Sequence, residues 1–126
     1  MRVGIDLVQV ADVTDSLARF GERYLRRIFT PRELADCGSL PAQAARLAAR
    51  VAAKEAAFKV LRPGADEALG WTEVEVERQP GGWCSLNLSG GARESAERQG
   101  LLDFQVSLSH EGAYATAVVV ASTGAV

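Results

Sequence analysis

From Arg2 the chain alternates. Val3, Ile5 and Leu7 fall on one side of an extended segment and Asp6, Val8 and Val10 on the other, so "RVGIDLVQV" reads as a strand with an acid set among apolar neighbours. Between Asp12 and Arg27 the spacing predicts a single helix whose Arg19, Arg23, Arg26 and Arg27 collect on the solvent side. Thr30, Pro31 and Glu33 form a capping-box pattern that starts a short helix reaching about Cys37. The main helix runs from Pro41 to Leu61 and stops at Arg62-Pro63-Gly64. Counting its apolar stripe from Leu47 through Val51, Phe58 and Leu61 puts Lys54 at a core position, with Glu55 beside it.

Beyond that helix the period returns to two. Residues 71–77 and 83–88 read as strands joined across "RQPGG", and a helix begins near Ser89 with Gly100 suited to its left-handed end. "FQVSLSH" and "YATAVVVA" finish the chain as strands on either side of a turn at Glu111-Gly112-Ala113. This order predicts one α+β domain over residues 1–126, a mostly antiparallel sheet packed on one long helix.

Composition narrows the possibilities. The chain has 126 residues, 48% hydrophobic and 24% charged, which suits one core of ordinary size. A net charge of −2 argues against general nucleic-acid binding, because phosphate contacts need a surplus of Lys and Arg. Cys37 and Cys84 have no metal-type spacing, so reduced thiols in a cytoplasm are expected. No signal peptide and no run long enough to cross a bilayer is evident.

Chemistry can be sought at few positions. Asp6 and Glu55 are carboxylates on rigid elements, able to share a hard divalent cation, and Lys59, one turn beyond Glu55, could reach an anion held there. Spacing alone favours a surface Glu–Lys pair. Lys54 is expected to snorkel its ammonium to the surface, or else to meet a phosphate or Glu55. His110, the only histidine, ends a strand and could anchor a ligand or simply occupy a turn; no serine elbow accompanies it. Gly64 could offer a backbone N–H to phosphate, though Pro-Gly is first a helix stop.

"VGIDLVQV", "RVAAKEAAFKVL" and "VSLSHEGAYATAVVV", in that order and spanning nearly the whole chain, resemble the holo-acyl-carrier-protein synthase type of 4′-phosphopantetheinyl transferase. The resemblance implies transfer of 4′-phosphopantetheine from coenzyme A to a carrier-protein serine, with adenosine 3′,5′-bisphosphate released. It also implies a homotrimer with coenzyme A at each subunit interface. By motif position it makes Asp6 and Glu55 magnesium ligands and Lys59 the pyrophosphate contact; because a metal-held water near a carboxylate is acidified and positioned, Glu55, directly or through such a water, is the expected general base. Arg50 and His110 fall where the family meets coenzyme A, with Lys54 and Gly64 beside them, and Arg27, with Arg19 and Arg23, faces an acidic carrier.

The chain departs from the family pattern in three places. Ala11 and Asp12 stand where many members have a basic residue, Val51 where they have Phe, and Arg62-Pro63-Gly64 where they have a "GTG"-like loop. The first change points toward a carrier of a polyketide or other specialised pathway. Two other readings remain: a non-catalytic α+β binding or assembly domain, and a magnesium-dependent hydrolase of nucleotide pyrophosphates.

Overall fold

The computed structural model describes residues 1–39 and 41–124. Strand β1 (Arg2–Gln9) leads into α1 (Val10–Phe20), α2 (Glu22–Ile28), α3 (Pro31–Cys37) and the long helix α4 (Gln43–Leu61). A 3₁₀ turn (Trp71–Glu73) then opens the hairpin β2 (Val74–Arg78) and β3 (Cys84–Leu88), and α5 (Gly90–Arg98) precedes the second hairpin, β4 (Leu101–Glu111) and β5 (Tyr114–Thr123). β5 is the middle strand of a three-stranded antiparallel sheet flanked by β1 and β4, and β2 with β3 forms a separate antiparallel pair. The α+β arrangement around one long helix is the one the sequence predicts. Among the described residues no helix is long and apolar enough to cross a membrane, and Cys37 and Cys84 are buried free thiols.

Helix α4 is not amphipathic in the way its large side chains suggest. Ala48, Ala52, Ala53, Ala56 and Ala57 are as fully buried as Leu47, Val60 and Leu61, while Val51 and Phe58 of the stripe are only half-buried. Alanine at these positions lets strands and helices approach α4 closely. Its C-terminal carbonyls are still served: Arg2 donates to Val60 O at 3.0 Å and Gln99 donates to Leu61 O at 2.7 Å.

Strand β1 turns its smaller face inward. Gly4 and the partly buried Asp6 and Val8 face α4, whereas Val3, Ile5 and Leu7 are 64%, 63% and 66% exposed. Gly4 explains how close the two elements come: a Cβ there would collide with the backbone carbonyl oxygen of Ala56 and sit 3.2 Å from Cβ of Lys59. Val10, expected to extend the strand, instead begins α1.

The predicted helix from Asp12 to Arg27 is two helices. Gly21 breaks it at φ 56°, ψ −132°, a conformation open to glycine, and its N–H closes α1 by donating to Leu17 O at 2.9 Å. The turn swings α2 round, and Arg19, Arg23, Arg26 and Arg27 all remain exposed. The capping box at Thr30 and Glu33 forms as read, with Pro31 at the first helical turn.

Candidate active site

The closeness of β1 and α4 at Gly4 sets Asp6 against Glu55 and Lys59. Lys59 Nζ donates to Asp6 Oδ1 at 3.1 Å and to Ile5 O at 2.7 Å. Asp6 Oδ2 is buried and accepts no hydrogen bond from an N–H of the chain. Burial pushes the Glu55 carboxyl up from its ordinary range to about 7; the facing Asp6 carboxyl, with which it can share a proton, adds to the rise, and Lys59 opposes it.

A divalent cation fits this arrangement. It would occupy the unserved side of Asp6 and relieve the repulsion that keeps Glu55 protonated. The described residues hold no cluster of three or more His, Cys, Asp or Glu. A two-carboxylate site suits magnesium, which keeps waters and takes phosphate oxygens for its remaining positions.

Arg50 and His110 come together as walls of one cavity of about 240 Å³, between α4, the β2–β3 hairpin and the end of β4. Arg46 and Arg78 line it too, with Asp36 as the one acid. Arg50 is buried, and its Nε has no partner although Nη1 reaches Arg46 O at 3.4 Å. A buried guanidinium with an unserved donor, in a cavity walled by three arginines and a histidine, is suited to a phosphate group. The sequence reading missed Arg46 and Arg78. Arg46 could have been found, lying one helical turn before Arg50, but nothing local marks Arg78.

Two further cavities meet. One of about 370 Å³ is lined by Arg23, Arg27, Phe20 and Trp71, and one of about 290 Å³ by Gln9, Asp12 and Glu55. Ser16 and Tyr24 belong to both, so a trough runs from the arginines to the carboxylates. Tyr24's phenol is raised above its ordinary range, first by burial and then by the nearby Glu55. Arg19 lies outside this lining, stacked over the Phe20 ring at 5.5 Å from the centroid.

Two expected ligand residues are placed otherwise. Lys54 neither snorkels nor faces a cavity: its ammonium is fully buried and donates to Glu33 Oε1 at 2.8 Å, Trp71 O at 3.0 Å and Val74 O at 2.6 Å. With all its donors taken inside the protein, it is not a coenzyme A contact. Gly64 is exposed, but its N–H donates to Glu67 Oε1 at 3.0 Å and is not free for phosphate.

Known proteins resemble this chain over nearly its whole length. Residues 2–119 match the family model described as the 4′-phosphopantetheinyl transferase superfamily. Holo-[acyl-carrier-protein] synthase of Koribacter versatilis is 41% identical over 117 residues, covering 93% of this chain and 94% of that one. That of Dehalococcoides mccartyi is 42% identical over 118 residues, covering 94% and 95%. The Helicobacter pylori holo-[acyl-carrier-protein] synthase, solved in complex with coenzyme A, superposes with a TM-score of 0.83 at 28% identity over 96% of this chain and all of that one. The "Chronobacterium ammoniagenes" ACPS–coenzyme A complex gives 0.84 at 30% identity, covering 98% and 97%. The chain therefore belongs to the holo-acyl-carrier-protein synthase family of 4′-phosphopantetheinyl transferases.

Proposed function

We propose that this protein transfers 4′-phosphopantetheine from coenzyme A to the serine hydroxyl of an acyl carrier protein, using magnesium. The observation that carries the reading is Asp6, Glu55 and Lys59 drawn together where β1 meets α4, with a phosphate-suited basic cavity on the same helix at Arg50. Arg46, Arg50, Arg78 and His110 take the 3′-phosphate end of coenzyme A. Lys59 meets the diphosphate, and its charge counts most as negative charge builds on the leaving oxygen. Asp6 and Glu55 would hold magnesium, which would supply charge neutralisation at the diphosphate. Glu55 accepts the serine proton, directly or through a water. The serine oxygen bonds to the β-phosphorus, the bridging bond to the α-phosphate breaks, and adenosine 3′,5′-bisphosphate leaves.

Arg23 and Arg27, at the far end of the trough from Glu55, receive the acidic carrier, and Arg19 adds charge at its rim. Asp12 lines the end near Glu55 and disfavours a carrier that is acidic right beside its serine, which points toward a polyketide or other specialised carrier. The outward row Val3, Ile5 and Leu7 on edge strand β1 continues across Val118 and Val120 of β5, an apolar face that suits burial against further copies in a homotrimer. Both thiols are free, in keeping with a cytoplasmic setting.

The test is the mass of an apo acyl carrier protein incubated with the enzyme, coenzyme A and magnesium. A gain of one phosphopantetheine, abolished by chelator, is expected. An unchanged carrier mass across a panel of carriers sinks the proposal, and phosphopantetheine released without any carrier points to hydrolysis instead.

A further inference from the structure

Lys54 lies between Arg50 and Glu55 on α4 yet touches neither the basic cavity nor the trough. Its ammonium is a junction. Glu33 Oε1, besides meeting Lys54, accepts the Thr30 N–H at 2.9 Å, and Glu33 Oε2 accepts the Val76 N–H at 2.8 Å. Adding the carbonyls of Trp71 and Val74, one buried ion pair ties α3, α4, the 3₁₀ turn and β2 together.

A buried pair of this kind contributes little net stability compared with an apolar pair of the same shape, because both ions must leave water. Its directional hydrogen bonds do what apolar packing cannot: they fix the distance and register between the elements they join. What they join here are binding walls. Arg50, one turn before Lys54 on α4, shares the basic cavity with Arg78 of β2, two residues past Val76. Trp71, whose carbonyl Lys54 holds, is a wall of the cavity that carries Arg23 and Arg27. Asp6 and Glu55, by contrast, are set by the packing of β1 on α4 at Gly4 and Ala56, which does not involve the junction.

We propose that Lys54, through Glu33, is a positioning residue that spaces the two substrate-binding walls against α4 while leaving the reacting centre to β1. The proposal rests on the transfer reaction assigned above, and it gives a specific kinetic signature. In the double variant Lys54→Met/Glu33→Gln both charges are removed together and neither is stranded. KM for coenzyme A and for the carrier then rises by about tenfold or more, while kcat stays close to that of the unaltered protein. A purely structural junction behaves differently: it lowers the folded, active fraction and hence apparent kcat, with KM unchanged.

The experiment measures KM and kcat for both substrates, together with calorimetric binding of adenosine 3′,5′-bisphosphate, which needs no turnover. Weaker nucleotide binding in the folded double variant supports the proposal even if no carrier is ever modified, so the transfer reading can fail separately. Unchanged KM and unchanged nucleotide affinity overturn the proposal. If the double variant does not fold, Glu33→Gln alone, which keeps the side-chain shape, is measured in the same way. Failure of both to fold overturns it as well, since the junction is then a stability element alone.

Discussion

Lys54 and Lys59 stand on the same helix and each meets a carboxylate from another element, yet the two encounters differ in what they leave over. Lys54 and Glu33 are both 0% exposed, and their donors and acceptors are used within the fold. Lys59 is 56% exposed and Asp6 13%, with one Asp6 oxygen unserved and Lys59 donating two hydrogen bonds of the three its ammonium can make. A closed pair holds structure, and an open one has capacity for a ligand. The difference is made by neighbours: five residues apart, the two lysines leave α4 on different sides, Lys54 toward α3 and β2 and Lys59 toward β1.

The comparison breaks most sharply at the open pair. Asp6→Asn or Glu55→Gln is expected to lower kcat by about a thousandfold or more while the thermal midpoint holds or rises, because a like-charge contact has been removed. Near-normal turnover in Glu55→Gln removes Glu55 from the mechanism. At the closed pair the result inverts: Lys54→Ala strands a buried carboxylate and is expected to cost about 3–5 kcal/mol of stability, read from denaturant titration. Gly4→Ala acts on the wall between the two regimes. Pushing β1 off Ala56 should cost about 1–3 kcal/mol and lower kcat more than stability alone predicts, as Asp6 moves away from Glu55.

A smaller effect appears in the pH dependence of the metal-free protein. Glu55 titrates at about 7 in the fold against an ordinary 4.5, so between those values the folded state holds a proton that the unfolded chain has lost. Its contribution to stability is therefore full below 4.5 and is lost as pH rises through 7. Magnesium, which binds the deprotonated form, should reverse that loss above pH 7. Melting curves at pH 5 to 8 with and without magnesium check the sign, and a midpoint unaffected by magnesium at pH 8 refutes the two-carboxylate site. The smallest effect belongs to a third kind of pair: Arg26 and Glu22, both more than three-quarters exposed, where Arg26→Ala should change stability by less than about 0.5 kcal/mol.

Much of this was legible in the sequence because it is written locally. The Thr30 capping box, the stop after Leu61 and the strand periods of both hairpins are short-range signals, and all appear in the fold. The motif residues Asp6, Glu55 and Lys59 also meet as their positions implied. What escaped depends on distant partners. Nothing near Lys54 announces Glu33, and the capping glutamate gave no sign of its second task. Gly21 was visible, but the polar and apolar spacing carries on past it as if the helix did too. The burial of α4 was misread because alanines, weak as pattern markers, share the deepest positions with Leu47 and Leu61, while Val51 and Phe58 of the stripe are only half-buried.

β1 pairs along its length with β5, and the residue opposite Asp6 is Ala117. Synthesis runs from Asp6 toward Ala117, so Asp6 is made long before the strand it pairs with. Helix α4 and its lysines can form meanwhile, but β1, which sets Asp6 beside Glu55 by packing on α4, has no strand to support it until the β4–β5 hairpin has followed. A chain cut short before β5 would thus hold Asp6 on an unpaired strand, with the backbone edge that β5 pairs left open.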